Sequence, residues 1–365
     1  MKRSAGLVVL SVLIIQYLVA SYQDIQISDT LPITVDTSFS SGKVVITGVG
    51  DIMLGTSYPS SQYLPPHDNP LLLLEGVIDT LSSSDITFGN LEGSFLNKGE
   101  AVKKCKDTTI CYLFRMPEKY VSALTASGFD LLSLANNHFG DFGLAGRDRT
   151  KEILDSVGIY YGGLLEHPWS IFMKDSLLYG FCAFAPNAGT VNINDISIAS
   201  GIVKKLSDTC DIVIVSFHGG AEGAEFQNVP KKVELYYGES RGDVYNFAHT
   251  MIDNGADVVF GHGPHVTRAI EVYKDRFISY SLGNFCTYGR FNLSGPNGIA
   301  PIVNITVDTT GRFLSGWIIP VSQSWSGGVK IDGKRRVISR IRELMSEDFP
   351  DAVITVSDNG EILYK

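Results

Sequence analysis

The chain has 365 residues, of which 44% are hydrophobic and 19% are charged, and its formal net charge is −9 at pH 7. This composition is typical of a globular protein, and the length is enough for one large α/β domain or two smaller ones. The acidic balance argues against nucleic acid as a partner, because binding to a phosphate backbone needs a basic face. Anionic substrates stay open, since a bound metal ion can dominate the local field.

The N-terminal residues have the pattern of an export signal. Lys2 and Arg3 precede an uncharged, apolar run over residues 5–20, which is shorter than the roughly 20 apolar residues of a transmembrane helix. Ala20 suits a signal-peptidase cut, whereas Leu18 is larger than the usual residue at its position. A cleaved signal and a retained anchor therefore both stay open.

Three segments follow from this pattern. Residues 1–21 are predicted to be the signal peptide or membrane anchor, and residues 22–42, which are polar and irregular, a spacer. Residues 43–365 are predicted to form the folded domain. We expect this domain to be exported and either anchored to the cell membrane facing outward or secreted.

From residue 43 onward, short β-branched runs alternate with amphipathic segments, as in βα units around a sheet. Strands are predicted over residues 44–49, 86–88, 131–134, 212–217, 258–260 and 277–281. Helices are predicted over residues 71–81, 118–127, 146–157, 202–207 and 243–254. The last helix has apolar residues at the spacing of one buried face, and Gly255 follows as its stop.

The remaining segments are predicted to be mostly strands. Apolar runs over residues 171–173 and 177–184 predict a hairpin or a second sheet layer. Beyond residue 301 the sequence alternates as strands do, then predicts a charged helix over residues 337–346 and a last hairpin around Asp358.

The five cysteines fall into two groups. Cys105 and Cys111 flank a polar loop, and in an oxidising compartment we expect them to form a disulfide. Cys182, Cys210 and Cys286 lie in or beside apolar runs and are predicted to be small buried hydrophobes.

Ligand-type side chains follow the predicted strands. They are Asp51, Glu92, Asn137, His138, His218, His262, His265 and Asn284. In open α/β sheets, ligands bind beyond the carboxyl ends of the strands. Imidazole and carboxylate groups together suit a divalent ion such as zinc, manganese or iron.

Each of these residues also has an ordinary structural interpretation. Asp51 alone would be a turn former or helix cap, and His218 alone would be a core histidine with satisfied hydrogen bonds. The occurrence of the whole set at successive strand ends is what predicts a metal site. His67, His167 and His249 lie outside this pattern and are assigned no role.

The segments that carry these residues resemble, in order, the motifs of the CapA family of poly-γ-glutamate capsule proteins. They read Gly-Val-Gly-Asp-Ile-Met-Leu-Gly (48–55), Asn-Leu-Glu-Gly (90–93), Phe-Arg-Met-Pro (114–117), Leu-Ala-Asn-Asn-His (134–138), His-Gly-Gly-Ala-Glu (218–222), Gly-Ala-Asp-Val-Val-Phe-Gly-His-Gly-Pro-His-Val (255–266), Ile-Glu-Val-Tyr (270–273) and Tyr-Ser-Leu-Gly-Asn-Phe (280–285). The resemblance covers residues 43–290. It implies a four-layer α/β/β/α sandwich like that of the calcineurin-like metallophosphatases.

The resemblance also implies roles for individual residues. Metal binding falls to Asp51, Glu92, Asn137, His218, His262 and His265. Glu92 is expected to bridge two ions, with Asn137, His218 and His262 on one ion and Asp51 and His265 on the other. His138 is expected either to support the metal ligands from behind or to act as an acid, and with Asp51 and Glu92 it forms the expected catalytic set.

Arg115 and Asn284 are candidates for binding the anionic group of a substrate, and Glu222 is a further candidate for substrate binding. Arg115 is equally a candidate for a surface residue in a strand-to-helix turn.

Two positions depart from the pattern of the classical metallophosphatases. Those enzymes begin with Asp-x-His, but here the third position is Met53, whose thioether is a poor ligand for a hard divalent ion. We therefore expect the metal position of Asp51 and His265 to be weakly filled or empty. Gly219 replaces the usual Trp after the motif histidine and is expected to open the local pocket.

Three functions are consistent with these features. The first is a cell-surface protein of poly-γ-glutamate synthesis, export or anchoring, with one or two divalent ions and metallophosphatase chemistry. Its expected partners are an anionic polymer or phosphoester substrate, the membrane and other capsule-synthesis membrane proteins. The second is an exported phosphoester hydrolase unrelated to capsule, and the third is a non-catalytic, metal-stabilised surface protein.

Overall fold

Two β-sheets lie at the centre of the protein, for which a computed structural model describes residues 42–103, 112–325 and 327–365. The strands, in chain order, are β1 (Lys43–Met53), β2 (Ile86–Leu91), β3 (Ser94–Phe95), β4 (Arg115–Met116), β5 (Leu131–Ser133), β6 (Tyr160–Gly162), β7 (Trp169–Lys174), β8 (Leu177–Phe184), β9 (Ile212–His218), β10 (Leu235–Tyr236), β11 (Glu239–Ser240), β12 (Val258–His262), β13 (Ile270–Tyr273), β14 (Arg276–Ser279), β15 (Asn284–Thr287), β16 (Ile299–Asp308), β17 (Phe313–Ser324), β18 (Gly327–Ile331), β19 (Ile354–Val356) and β20 (Glu361–Tyr364).

The α-helices are α1 (Ile78–Leu81), α2 (Val121–Ala126), α3 (Gly143–Val157), α4 (Ile196–Ser207), α5 (Val244–Asp253) and α6 (Arg336–Asp348). Short 3₁₀ turns occupy Ser61–Tyr63, Pro66–Asp68, Pro70–Leu73, Glu118–Tyr120 and Gly295–Gly298. Among the described residues, no helix has the length and apolar character needed to cross a membrane.

Each of the two sheets contains one set of neighbouring parallel strands. The larger sheet has ten strands in the order β19-β20-β17-β16-β1-β2-β5-β6, with β15 beside β1 and β18 beside β17. The smaller sheet has six strands in the order β13-β14-β12-β9-β8-β7. In the larger sheet β1, β2, β5 and β6 run parallel, and in the smaller sheet β8, β9, β12 and β14 do so. The carboxyl ends of each set therefore meet at one edge of its sheet.

The two sheets pack face to face through aromatic side chains. Phe88 of β2 stacks on Phe260 of β12 with ring centroids 5.1 Å apart, and it also contacts Phe181 of β8 at 5.7 Å. Gly48 of β1 permits this close approach, because a Cβ at that position would overlap the ring of Phe260. The strands β9 and β12 are buried along their whole length, which explains their continuous apolar sequences.

Helices cover the outer faces of both sheets. On the larger sheet, Leu124 of α2 and Leu154 of α3 share a core with Leu132 of β5. On the smaller sheet, α4 contacts β8 and β9, and α5 contacts β12. The arrangement confirms the expected four-layer α/β/β/α sandwich.

The C-terminal segment completes the larger sheet. Strand β16 pairs antiparallel with β1, β17 pairs with β16, and β19 and β20 form the predicted hairpin at the far side. The predicted hairpin of β7 and β8 is also present and forms one side of the smaller sheet. Cys182 and Cys286 are buried as expected, whereas Cys210 is partly exposed.

The helix predicted over residues 71–81 is wrong for much of its length. The chain instead forms the turn Pro70–Leu73 and the single-turn helix α1. Gly76 lies in the turn between them, and glycine is a weak helix former. Its lack of a side chain also lets the backbone approach β18, since a Cβ there would lie 2.8 Å from the carbonyl oxygen of Val329.

Two other helices begin earlier than predicted. Helix α4 starts before residue 202, because the carboxylate of Asp195 accepts a hydrogen bond from the Ile198 amide at 3.1 Å and caps the helix. Helix α3 starts at Gly143 rather than at residue 146. Residues 1–41, which hold the predicted leader and nearly all of the spacer, and the pair Cys105 and Cys111 lie outside the described residues.

Candidate metal centre

The candidate ligands lie at the carboxyl ends of parallel strands from both sheets. Asp51 is near the end of β1, Glu92 follows β2, and Asn137 lies in the segment after β5. His218 and His262 are the last residues of β9 and β12, and they face each other in the register of these strands. His265 follows three residues after His262.

Asp51 contacts two histidines of the cluster. Its Oδ2 lies 2.8 Å from Nδ1 of His265, and its Oδ1 lies 3.3 Å from Nδ1 of His262. Glu92 Oε1 lies 3.6 Å from Nε2 of His265. One ligand atom from each of Asp51, Glu92 and His265 falls within 4.8 Å of the others, a spacing that one ion can bridge.

The backbone at two of these residues is irregular. The pairing of β1 with β2 shifts register between Gly48 and Asp51, a bulge of the kind that re-aims side chains next to active sites. His265 has φ = 58°, in the left-handed region, and its carbonyl accepts a hydrogen bond from Asn297 at 3.2 Å. Such strained residues concentrate at ligand sites.

Several polar atoms of the cluster are buried without a hydrogen-bond partner. They are both carboxylate oxygens of Glu92, both ring nitrogens of His218 and of His262, and Oδ1 of Asn137. Buried polar groups in native proteins are normally paired, because an unpaired one costs about 1–3 kcal/mol or more. These nitrogen and oxygen atoms are ligand types of zinc, manganese and iron, so the residues fit a divalent ion.

The pKa values of the cluster residues differ strongly from those of the same groups in water. Burial alone would raise the pKa of Asp51, but the hydrogen bond with His265 and the close imidazole of His262 outweigh it and lower this pKa. Burial raises the pKa of Glu92 well above its usual value. Burial alone would lower the pKa of His265, but Glu92 and Asp51 raise it to about 10. Burial lowers the pKa of His218 well below its usual value.

Two asparagines that the sequence did not single out hold the cluster in place. Asn90 donates a hydrogen bond to Asp51 Oδ1 at 2.8 Å, and Asn136 donates to Asn90 Oδ1 at 3.1 Å. The side-chain oxygen of Asn136 accepts from the backbone amide of His138 at 3.0 Å. Both asparagines lie inside the motifs that carry the ligands, and this position is the only signal the sequence offers for them.

His138 is held by Asp141, which the sequence did not indicate either. Nδ1 of His138 lies 2.9 Å from Asp141 Oδ2, and Lys103 Nζ lies 3.2 Å from Asp141 Oδ1. Its Nε2 lies 4.0 Å from Glu92 Oε1, and burial lowers the pKa of the imidazole. A neutral His138 therefore stands beside the cluster.

The predicted substrate-binding residues differ in their surroundings. Arg115 donates from Nη1 to the Gly99 carbonyl at 2.7 Å and from Nε to Ser57 Oγ at 3.1 Å, so its guanidinium holds neighbouring loops together. Asn284 pairs with Asp51 in the register of β15 and β1, and its Oδ1 is buried without a partner. Glu222 lies beside an arginine that the sequence did not indicate.

The two departures from the metallophosphatase pattern have different consequences. Met53 is fully buried in the core of the larger sheet, where its sulfur accepts a hydrogen bond from the Gly55 amide at 3.3 Å. The expectation that Gly219 opens the pocket is wrong. A Cβ at Gly219 would lie 2.8 Å from the carbonyl oxygen of Arg241, so the backbone of Arg241 occupies that space.

A four-layer α/β/β/α sandwich with carboxylates and histidines at adjoining strand ends is the architecture of the metallophosphatase-like proteins. Within that class, residues 45–170 and 184–288 match the family described as "Bacterial capsule synthesis protein PGA_cap". The chain belongs to this family.

Named relatives agree with this membership. The chain is 28% identical over 268 residues to "Capsule biosynthesis protein CapA" of Bacillus anthracis, covering 67% of this chain and 59% of that protein. It is 27% identical over 265 residues to "PGA biosynthesis protein CapA" of Bacillus subtilis, covering 68% and 64% of the two chains. The chain thus spans about three fifths of the length of these relatives.

A putative 5′-nucleotidase from Staphylococcus aureus superposes with a TM-score of 0.42 at 17% identity, covering 84% of this chain and 58% of that one.

Proposed function

We propose that this protein is an accessory protein of poly-γ-glutamate synthesis, export or anchoring whose strand-end cluster binds one or two divalent ions. Membership of the capsule family and the names of its Bacillus relatives support the role in poly-γ-glutamate synthesis, export or anchoring. The binding of divalent ions is supported by the buried ligand atoms of Glu92, His218 and His262 that have no hydrogen-bond partner. Each histidine can offer one of its ring nitrogens to a divalent ion, and Glu92 can offer its carboxylate oxygens.

The chemistry that suits this site is hydrolysis of a phosphoester or of a bond in the anionic polymer. A bound ion would supply Lewis-acid activation of a phosphoryl or acyl oxygen. Asp51, fixed by Asn90, and the buried Glu92 would hold the ion. His138, oriented by Asp141, carries a free Nε2 at the cluster and can exchange a proton with a reacting group.

The two metal positions are proposed to be unequal. The position of Asn137, His218 and His262 keeps its full set of ligand types. The position of Asp51 and His265 lacks the histidine that Met53 replaces, and the Met53 sulfur is already used by the Gly55 amide. A thioether is in any case a poor ligand for a hard divalent ion, so occupancy should be lower there.

The site of action is proposed to be outside the cytoplasm. Lys2 and Arg3, followed by the apolar run over residues 5–20, support export of the domain. A reporter enzyme that is active only after export, fused after residue 42, tests this. An inactive but intact fusion would contradict it.

Metal analysis coupled to activity assays tests the main proposal. The purified full chain should carry about one to two equivalents of zinc, manganese or iron, and His218→Ala and His262→Ala should each reduce this, since each removes a ligand from a small shell. His67→Ala is the control, because His67 is exposed and distant in sequence from the ligands. Full metal content in both ligand variants would contradict metal binding at this cluster.

The substrate is tested on the same preparations. A panel of phosphoesters and γ-glutamyl polymers separates the capsule function from a general phosphoester hydrolase. Turnover of the phosphoesters with no binding of the polymer would favour the second function. Full metal content without turnover or binding of either would favour a non-catalytic role.

A further inference from the structure

Arg241 is a buried arginine next to the cluster, and the proposed function gives it no role. It lies between β11 and α5, and its side chain is 3% exposed. Its carbonyl oxygen accepts a hydrogen bond from the Gly220 amide at 2.9 Å, two residues after the candidate ligand His218. Burial lowers the pKa of His218 most, and the positive charge of Arg241 lowers it further. The guanidinium is therefore part of the electrostatic surroundings of the cluster.

One edge of this guanidinium lacks hydrogen-bond partners. The edge formed by Nε and Nη2 is the one with which arginine binds two oxygens of a carboxylate or phosphate side by side. Both atoms are buried and neither has a hydrogen-bond partner. Glu222 Oε1 forms an ion pair with Nη2 at 2.9 Å without the alignment of a hydrogen bond, so an incoming anion would displace Glu222 from this edge, while Nε has no partner.

The position of Arg241 is fixed by its neighbours. Its backbone amide donates to the Glu234 carbonyl at 2.8 Å, and the Glu234 carboxylate in turn binds both terminal nitrogens of the buried Arg268 at 2.8 Å each. The guanidinium carbon lies 6.0 Å from the ring centroid of Tyr236, within the range of a cation–π contact. A buried cation held in this way does not have to be ordered when a ligand arrives, which favours binding.

We propose that Arg241 binds a two-oxygen anionic group of the substrate through Nε and Nη2, and that Glu222 neutralises the guanidinium when no substrate is bound. The group is a carboxylate, which a γ-glutamyl polymer carries on every residue, or a phosphate. This inference deepens the proposed function and rests on it for the presence of a substrate at the cluster. It also replaces Arg115, whose Nε and Nη1 are engaged with Ser57 and Gly99, as the anion-binding arginine.

Calorimetric titration of the full chain with two probes tests the assignment. The probes are inorganic phosphate and a γ-linked glutamate trimer, titrated into the Mn²⁺-loaded and the metal-free protein, with metal content measured in parallel. Arg241→Gln should weaken binding of at least one probe by about tenfold or more, because it removes a charge-assisted bidentate pair. Arg241→Lys should be intermediate, since it keeps the charge and loses the fork. Arg149→Gln is the matched control and should bind as the wild type does, because this exposed arginine of α3 pairs only with Glu118 and Glu152 in the described ion pairs.

Each outcome of these titrations decides the assignment. Wild-type affinity in Arg241→Gln, a wild type that binds neither probe, or loss of metal together with the anion in that variant would overturn it. If circular dichroism shows that Arg241→Gln does not fold, Arg241→Lys decides, and wild-type affinity there overturns the bidentate role. A wild type that takes up no metal would contradict the proposed function, while the comparison in metal-free protein still decides the role of Arg241. The probe with the larger loss identifies the group as phosphate or carboxylate.

Discussion

Loading the cluster with a divalent ion should release a proton, because the pair of His265 and Glu92 holds one in the metal-free state. Burial alone would lower the pKa of His265, but Glu92 and Asp51 raise it to about 10, so the ring is protonated at neutral pH. Burial raises the pKa of Glu92 and favours its neutral form, but a neutral Glu92 would not raise the pKa of His265, so the two residues together account for one proton. Asp51 is ionised and His218 is neutral, because their pKa values are lowered. The structure therefore predicts the release of one proton.

The magnitude follows from this count. Metal binding requires deprotonated ligands, so a site that must lose one proton binds the ion more tightly as the pH rises. The logarithm of the association constant should increase by about one for each pH unit between about pH 6 and pH 8. This corresponds to a gain in affinity of about tenfold per pH unit, or roughly 1.4 kcal/mol.

Calorimetric titration of the metal-free chain with Mn²⁺ measures the proton count directly. Titrations in two buffers with different ionisation enthalpies give the number of protons released, and a pH series gives the slope. Glu92→Gln removes a carboxylate that raises the pKa of His265, so the count should fall below one, whereas the control His67→Ala should keep one. An affinity that does not change with pH, or an unchanged count in Glu92→Gln, would refute the reasoning.

Three further substitutions test the packing and the ligand set. Met53→His should raise the bound metal toward two ions per chain, and unchanged metal content in the folded variant would contradict the unequal positions. Gly48→Ala should cost about 1–3 kcal/mol in urea denaturation, because its Cβ overlaps the ring of Phe260. A second change, Phe260→Leu, should recover part of this loss. Arg268→Met should cost about 3–5 kcal/mol by leaving the buried Glu234 unpaired, and the double variant with Glu234→Met should recover most of it. Additive losses in either double variant would contradict the contact concerned.

The residues of the cluster could be predicted as a set because each lies at or near the end of a predicted strand, although β1 and β2 extend to Met53 and Leu91, beyond their predicted ends at residues 49 and 88. Strands such as β9 and β12 are continuous apolar runs of β-branched and aromatic residues that stop at a histidine. Parallel pairing then brings such ends to one edge without any further information. The pairing of His218 with His262 in the register is a consequence of that rule.

The contacts that support the cluster could not be predicted in this way. Asp141 and Arg241 act through segments distant in the chain, and neither interrupts a hydrophobic pattern or completes a spacing rule. The close approach of Gly76 to Val329 of β18 is likewise a contact between segments distant in the chain. Local sequence patterns show the periodicity of helices and strands, whereas these contacts depend on which distant segments meet after folding.

The division of the ligands between two sheets has a consequence for the order in which this protein assembles. Asp51 and Glu92 come from the larger sheet and His218 and His262 from the smaller one, so neither sheet alone offers a complete coordination shell. The pairing of β1 with β16 also requires residues up to 308, well after the last candidate ligand. Ion capture would therefore be a late step, taken after the sheets have docked. From then on the ion would act as a cross-link between them, and removing it would weaken the whole domain rather than one loop.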